Sequence, residues 1–445
     1  MTSTAHAPGR SGRRHTLLSS VVGAVVEWYE YTIYATSAAL VFAPLFFPSD
    51  NPAASQIAAF ASFGVGFVAR PIGAWVAGHY GDRIGRKATL LATFTVMTAA
   101  TAAIGLLPDY GAIGLMAPVL LCLLRLLQGF AVGGEWGGAA IVAAESARSD
   151  RRGFAASWPQ IGVSSGLLLG TLAVAGSQLI SGDEFMTWGW RLPFLLSIPL
   201  AAVGLYIRLR ATESQAFLRA RDAGSTAPER APIVEVVRSH RRALATAVAV
   251  GFGHSGTYYL FTVFLIAYVA GTLGVPAGTG LLAVIVGSSL NILLMPVAGL
   301  ASDRFGRRWV LGAGAALLIV SIWPILLLVG TGRTWAIVLG IAFYLGAVHT
   351  LLYGPLPALF TELFPTRVRY TGISVSYQFN AVLLSGFGPA LFSVLVAWSG
   401  SVWPLALFGM LMGVMTIVGV ASTRETRGTD LDDVGARPRQ AVTAS

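Results

Sequence analysis

Long apolar stretches alternate with short polar segments along the whole chain. Twelve of these stretches reach the length of about 20 mostly apolar residues that an α-helix needs to cross a bilayer. Each one therefore predicts a membrane-spanning helix, although the first and the fourth can also be divided differently. The twelve predicted helices lie at roughly 17–45, 57–79, 88–107, 113–144, 154–180, 192–211, 243–272, 279–301, 309–330, 334–361, 369–398 and 402–423.

One polar segment occurs twice, as GHYGDRIGRK at 78–87 and as GLASDRFGRR at 299–308. Each copy follows the second helix of a set of six, which predicts an all-α membrane protein built from two parallel six-helix bundles. The predicted parts are an N-terminal tail at 1–16, a bundle at 17–211, a central loop at 212–242, a bundle at 243–423 and a disordered tail at 424–445. Within the central loop, IVEVVRSHRR at 233–242 predicts a short amphipathic helix on the membrane surface.

The repeated segment is expected to form a tight turn of about eight polar residues, which its glycines permit. Its aspartate can meet a helix N-terminus, and its arginines can bind carboxylates or lipid phosphates. Such a cluster predicts a conformational switch between the two halves, the alternative being a solvated basic turn. The predicted switch residues are Gly78, Asp82, Arg83, Gly85, Arg86, Asp303, Arg304, Gly306 and Arg307.

Composition supports the membrane assignment, because 55% of the residues are apolar and only 11% are charged. The net charge of +10 would suggest a nucleic-acid partner in a soluble protein. With both termini in the cytoplasm, however, 26 of the 30 Lys and Arg residues fall in the tails and inner loops. The positive charge therefore indicates the orientation of the helices in the membrane and not a nucleic-acid partner. The one cysteine, Cys122, cannot form an intramolecular disulfide or a thiolate pair for a metal. No metal and no cofactor is therefore expected.

Five charged residues lie inside predicted helices, where insertion of a charge costs about 2.5–3.5 kcal/mol. All five, Glu27, Glu30, Arg70, Arg125 and Glu135, belong to the first half. Glu27, Glu30 and Tyr31 share one helix face, and Arg125, Gln128 and Glu135 share another. Burial and a neighbouring arginine act in opposite directions on the proton affinity of a carboxylate. The pattern predicts proton coupling by Glu27 and Glu30, with the arginines as charge partners or anion-binding groups.

A fixed ion-pair network that holds the helices together remains the alternative for this cluster, and Glu135 fits that structural role better. The second half offers only uncharged polar residues inside its helices. Tyr258 and Tyr353 are candidates for the wall of a substrate cavity, although their hydroxyls could equally bond neighbouring helices. Gln160 and Asn380 complete the candidate substrate-binding set.

Several segments resemble the metabolite:proton symporter family of the major facilitator superfamily. They are VVEWYEY at 25–31, FVARPIGAWVAGHYGDRIGRK at 67–87, RLLQGFAVGGEWGGAA at 125–140, WGWRLPFLLS at 188–197 and ELFPTRVRYTG at 362–372. The resemblance implies alternating access by two bundles, driven by the proton gradient of a bacterial-type plasma membrane. It places the family's charged positions on Glu27, Glu30, Arg70, Arg125 and Glu135. Family members usually have aspartate where this chain has Glu30.

The function expected from these observations is proton-coupled import of a small polar metabolite by a protein that is not an enzyme. Two internal arginines favour an organic acid such as shikimate or a di- or tricarboxylate, since guanidinium pairs with carboxylate in a bidentate manner. A proline or betaine carrier is the alternative, and a non-transporting membrane sensor is a more remote one. The expected partners are the substrate and the bilayer, and the chain is expected to be a monomer.

Overall fold

Helices form almost all of the described chain. The computed structural model describes residues 10–84, 86–132, 135–145, 147–210, 232–431 and 434, and describes no side chains at 10–20, 75, 77–88, 90, 135, 136, 139, 207–210 and 232. Within these residues there are twelve long helical segments. They are α1 (Arg10–Leu40), α2 (Pro52–Ile84), α3 (Arg86–Gly105), α4 (Met116–Val132 and Glu135–Glu145), α5 (Arg152–Ser181), α6 (Ser197–Arg210), α7 (241–271), α8 (Ala277–Phe305), α9 (Arg307–Gly330), α10 (Thr334–Leu363), α11 (Arg369–Ser399) and α12 (Trp403–Ala421).

Short helices connect several of the long segments. They are Phe42–Phe46, Tyr110–Ile113, Leu192–Leu195 and Pro232–Ser239, with 3₁₀ turns at Ser149–Arg151, Gly182–Met186 and Gly189–Arg191. Helices α7, α10 and α11 each contain one π-helical stretch, at Leu260–Phe264, Tyr344–His349 and Ala381–Gly386. The helix at Pro232–Ser239 confirms the helix predicted in the central loop, and it exposes Ile233, Val234 and Val237. Residues 211–231 lie outside the described part.

Eight helical segments of the described chain are long and apolar enough to cross a bilayer, and α3 and α4 add shorter apolar stretches at Leu91–Gly105 and Met116–Val132. Helices α1 and α7 do not meet the same hydropathy limit. The reason lies in their sequences, since α1 carries the polar face of Glu27 and Glu30 and α7 carries HSGTYY at 254–259. Both helices turn these polar faces inward, because Glu27, Glu30, His254 and Tyr258 are buried.

The first bundle depends on close contacts between α2 and α4. Gly129 on α4 lies against Gly66 on α2, so that a Cβ added at Gly129 would fall 1.8 Å from the Gly66 carbonyl oxygen. Small residues at such crossings let helices approach closely in a membrane, where the attraction comes from van der Waals contact. Between the bundles, α5 packs along α8, α2 along α11, and α1 along α7.

We expect Gly129→Ala to destabilise the protein by about 1–3 kcal/mol or more, because the added methyl overlaps backbone atoms that can move only if α2 and α4 separate. Thermal unfolding in detergent measures this effect. Gly176→Ala is the matched control, since this glycine is also helical but a Cβ there meets nothing within 4 Å. Equal melting temperatures for the two variants would contradict the close approach of α2 and α4.

The repeated polar segment is not the eight-residue loop expected from the sequence. In the second copy α8 continues to Phe305 and α9 begins at Arg307, so Gly306 alone leaves the helical conformation. Its φ of 100° lies in the region that favours glycine. The prediction of a loop was wrong because Asp303 and Arg307 form an ion pair. The pair compensates both charges, so these residues can belong to helices. In the first copy, Gly85 and the side chains at 78–87 lie outside the described residues.

Candidate substrate and proton site

A buried carboxylate lies at the centre of the first bundle. Glu30 on α1 has only 1% of its surface exposed. The hydroxyl of Thr98 donates a hydrogen bond to Glu30 Oε1 at 2.9 Å, and the hydroxyl of Thr101 donates to Glu30 Oε2. Both threonines come from α3. Glu27, one turn earlier on α1, is also buried and lies close enough to Arg70 to interact with it electrostatically.

Hydrogen bonds connect Glu30 to Arg125 on α4. Gln128 Nε2 donates to Thr101 Oγ1 at 2.7 Å, and Arg125 Nη1 donates to Gln128 Oε1 at 3.1 Å. Arg125 is fully buried, yet its Nη2 has no hydrogen-bond partner among the described residues. A buried donor without a partner destabilises the folded protein, and a ligand that binds to it removes this cost. Arg125 therefore joins the proton site to a free donor.

Both internal arginines lie on aromatic rings. The Arg70 Cζ lies 4.2 Å from the centre of the Tyr31 ring, and the Arg125 Cζ lies 4.4 Å from it, so the ring contacts two guanidiniums. Arg70 Nε also donates to the Tyr31 hydroxyl at 3.1 Å. Cation–π contacts hold each charge and leave guanidinium hydrogens available. Among the described residues Glu30 makes no ion pair, and threonine hydroxyls satisfy it instead.

A small cavity of about 10 Å³ lies between the two bundles beside this cluster. Its walls include Trp28, Tyr31 and Thr36 on α1 and Tyr258 and Tyr259 on α7. The hydroxyls of Tyr258 and Tyr259 are buried, and no described residue forms a hydrogen bond with them. A cavity of this size holds about one water molecule, so a ligand needs the bundles to separate further, and the two hydroxyls are candidate donors to it.

The remaining predicted residues are not among those that line this cavity. Gln160 on α5 is fully buried. Tyr353 on α10 stacks on His254 with ring centres 4.0 Å apart. Asn380 on α11 bonds the Val248 carbonyl oxygen at 3.0 Å and so holds α11 to α7. The side chain of Glu135 lies outside the described residues.

The two bundles meet again at one end of the molecule, formed by the start of α5 and the junctions α8–α9 and α10–α11. We call it the inner end, since the sequence predicts that it faces the cytoplasm. Asp303 accepts hydrogen bonds from the backbone amides of Gly153 and Phe154 at the start of α5, both at 2.8 Å. The positive end of a helix dipole favours a carboxylate at this position.

Two reciprocal ion pairs close the inner end. Arg152 of the first bundle pairs with Glu362 of the second at 2.9 Å, and Arg369 of the second pairs with Glu145 of the first at 2.6 Å. Arg307 also pairs with Glu362, at 3.2 Å. Of these residues, only Arg307 is among those that the sequence predicts for the switch. A signal was present, because Glu145 and Arg152 are seven residues apart and so are Glu362 and Arg369, with the same offset of 217 residues between copies.

The start of the C-terminal tail lies across the inner end, so the prediction of a disordered tail was wrong for 424–431. Glu425 accepts hydrogen bonds from the backbone amides of Arg307 and Arg308 and thereby caps α9. The Thr426 hydroxyl donates to Glu362 at 2.6 Å, and Arg152 donates to the Thr429 carbonyl oxygen at 3.0 Å. The backbone amides at the start of α9 have no acceptor within the helix, and the carboxylate of Glu362 lies nearby. Both need hydrogen-bond partners, which explains why this polar segment binds to the inner end.

Comparison with known proteins connects this architecture to a family. The sequence model of the family described as "Sugar (and other) transporter" matches twice, at residues 16–232 and 224–436. The chain belongs to this family, within the major facilitator superfamily. The two matches cover the two bundles in turn.

Curated relatives extend over almost the whole chain. The shikimate transporter of Escherichia coli K12 is 37% identical over 406 residues, covering 91% of this chain and 93% of its own. The inner membrane metabolite transport protein YhjE of the same strain is 36% identical, covering 95% and 96%. The proline/betaine transporter of Salmonella typhimurium LT2 is 33% identical, covering 96% and 86%.

Solved structures share the fold of this family. The proton:xylose symporter XylE, bound to 6-bromo-6-deoxy-D-glucose, superposes with a TM-score of 0.75 at 19% identity and covers 96% of this chain and 99% of its own. The family and the relatives are transporters, which confirms the predictions of a twelve-helix transporter fold and of a protein that is not an enzyme. The protein is a multi-pass transporter of the bacterial inner membrane, with a small molecule as its cargo.

Proposed function

We propose that this transporter is a proton-coupled symporter that imports a small organic acid. One observation carries the proposal. The buried carboxylate of Glu30 is linked by Thr101 and Gln128 to Arg125, whose Nη2 is buried and has no hydrogen-bond partner in the part of the chain that the structure describes. A proton acceptor and an anion-binding donor thus belong to one hydrogen-bonded group.

The environment of Glu30 is compatible with both of its protonation states. Besides Glu30, the Thr101 hydroxyl has a second acceptor, the Met97 carbonyl oxygen at 2.9 Å. When Glu30 is ionised, Thr101 donates to it. When Glu30 is protonated, Thr101 can donate to Met97 and accept a hydrogen bond from Glu30, so that no hydroxyl hydrogen is left unsatisfied. Glu30 can therefore gain and lose a proton without a change in helix positions.

Charge balance then couples the proton to the substrate. An ionised Glu30 reduces the positive potential around Arg125, whereas a protonated Glu30 leaves the guanidiniums of Arg125 and Arg70 uncompensated by this carboxylate. A substrate carboxylate binds best in the second state, and bidentate pairing with guanidinium gives it a defined orientation. Proton and anion consequently enter together, as symport requires.

Movement between the two access states is proposed to depend on the inner end. There Asp303 holds the start of α5 and the reciprocal ion pairs join the bundles, so these contacts must break when the inner end opens. Asp303, Arg304, Gly306 and Arg307 form the described copy of the proposed switch. The copy at 78–87, including Gly78, Asp82, Arg83, Gly85 and Arg86, is assigned the same role from its sequence.

A zwitterion such as betaine or proline is the second candidate substrate, because aromatic rings surround the cavity. Trp28, Tyr31, Tyr258 and Tyr259 can bind a quaternary ammonium group through their faces. The nearby guanidiniums of Arg70 and Arg125 oppose a cation, and Tyr31 already contacts both of them. These arginines favour the organic acid.

We expect purified protein in liposomes to accumulate its substrate when the outside is acid and to lose accumulation when an ionophore collapses the proton gradient. A panel of shikimate, dicarboxylates, citrate, proline and betaine identifies the cargo in the same assay. Liposomes without protein give the background. Uptake that persists undiminished with the ionophore would rule out proton coupling, and uptake of betaine alone would rule out the organic acid.

A further inference from the structure

A chain of uncharged hydrogen bonds runs through the second bundle next to the cavity. Asn291 on α8 lies between His349 on α10 and Ser164 on α5 of the other bundle. Asn291 Nδ2 is 3.1 Å from His349 Nδ1, and Ser164 Oγ is 2.5 Å from Asn291 Oδ1. His349 Nε2 in turn is 3.0 Å from His254 Nδ1 on α7. All four side chains are buried.

The geometry fixes where the protons are. The Leu345 carbonyl oxygen, 2.7 Å from Asn291 Nδ2, can only accept, which identifies that amide atom as the nitrogen. Asn291 Nδ2 also lies 2.8 Å from Thr350 Oγ1, so its two hydrogens have three possible acceptors. A hydrogen on His349 Nδ1 would nevertheless point at this amide nitrogen, which does not accept, so His349 Nδ1 carries no proton. His349 Nε2 therefore carries one and donates it to His254 Nδ1. His254 must then have its own proton on Nε2, and both histidines are neutral.

The chain ends at His254, and two donors there and beside it have no partner among the described residues. One is His254 Nε2–H, because the hydrogen bond to His349 uses the other ring nitrogen. The second is the Tyr258 hydroxyl, one helical turn later on α7, which is buried and unpaired. Tyr258 lies in the cavity wall and touches Trp28 of the first bundle edge to face, with ring centres 5.9 Å apart.

We propose that His254 and Tyr258 bind an uncharged hydroxyl or carbonyl oxygen of the substrate, opposite the guanidinium that takes its carboxylate. The inference rests on the proposed function and narrows it to hydroxylated or oxo-substituted carboxylates. Two neutral donors suit a neutral oxygen, and the helices of the second bundle bring no charged side chain to this wall. A substrate that contacts both bundles in this way also favours their approach, which is what alternating access needs.

Tyr258→Phe tests the inference, since it removes one hydroxyl and keeps the ring against Trp28. Uptake is measured for matched pairs that differ only in hydroxylation, namely shikimate and cyclohexene carboxylate, malate and succinate, and 4-hydroxyproline and proline. In wild type we expect the hydroxylated member of the transported pair to have the lower KM. In Tyr258→Phe this preference should fall by about tenfold, the value of one hydrogen bond, with the KM of the unsubstituted member unchanged.

Tyr344→Phe is the matched control. Tyr344 is a buried tyrosine of the same bundle, but its hydroxyl is satisfied by Thr257 at 2.7 Å, and it lies outside the cavity wall. The preference should survive in this variant. His254→Phe, which keeps a ring to stack on Tyr353, should lose the preference as Tyr258→Phe does. Melting temperatures identify any variant whose effect comes from unfolding.

The outcomes separate the two proposals. If wild type transports carboxylates and Tyr258→Phe leaves the preference unchanged, or raises the KM of both members equally, the oxygen site is wrong and the proposed function stands. If wild type transports no shikimate, dicarboxylate or citrate but does transport proline, the proposed function fails. In that case equal KM values for proline and 4-hydroxyproline overturn the oxygen site as well.

Discussion

Glu30→Gln should abolish accumulation driven by the proton gradient while substrate exchange across the membrane continues. Glutamine has the size of a protonated glutamate and can donate to Thr101, so the site remains in the state that accepts a carboxylate. It cannot release a proton, however, and the link between gradient and cargo is lost. Proteoliposomes give both quantities, as uptake under an imposed pH difference and as counterflow of labelled substrate at equal pH.

Glu30→Asp is the informative companion, because it keeps the acid and shortens the side chain by one methylene. We expect it to restore coupling at a reduced rate, since the shorter carboxylate reaches Thr98 and Thr101 less well. Accumulation that survives in Glu30→Gln would assign the proton to another group, with Glu27 as the first candidate. Loss of counterflow together with accumulation would instead indicate a structural role for Glu30.

Glu362→Gln should open the inner end. Glu362 is buried and accepts hydrogen bonds from Arg152, Arg307 and Thr426. Removal of one partner from a buried ion pair costs about 3–5 kcal/mol, because the remaining charges lose their compensation. The closed arrangement should become at least about a hundredfold less favoured relative to the open one. Hydrogen exchange reports this change at the amides of Gly153 and Phe154, which Asp303 holds when the inner end is closed.

Glu235→Gln is the matched control at the same end of the molecule. Glu235 pairs with Arg367, but the Arg367 side chain is 77% exposed, and solvent screens such pairs. We expect a change within about 0.5 kcal/mol and unaltered exchange at Gly153. If the two variants exchange alike, the ion pairs of the inner end do not set the balance between closed and open states.

Much of the fold could be predicted because hydropathy and an internal repeat report on it directly. The bilayer demands long apolar helices, and the repeated GxxxDRxGR pattern marks equivalent points in the two halves. The turn itself was mispredicted, since polar residues suggest a loop while Asp303 and Arg307 are satisfied on helices. The ordered tail at 424–431 was also missed, because its binding depends on amides at the start of α9 that no local pattern reveals.

The sequence identified the charged members of the candidate site but not their partners. Glu30, Arg70 and Arg125 stand out because charge is expensive in a membrane. Thr98 and Thr101 do not stand out, since threonine is common in membrane helices and its role depends on which helix faces it. The same limit applies to Ser164, which meets Asn291 across the interface between bundles. Roles for the predicted site residues stay predictions until the variants above are measured.

The reciprocal ion pairs have a consequence for chimaeras between this chain and its relatives. Each bundle supplies one glutamate and one arginine, and each of these pairs with a residue of the other bundle. In a hybrid that takes one bundle from a relative, the glutamate and arginine of that bundle must pair with the arginine and glutamate of a different protein. Exchange of a single helix such as α10 would replace Glu362 and leave Arg307 of the same bundle without this partner, so whole bundles joined near residue 232 are the sensible units for grafting.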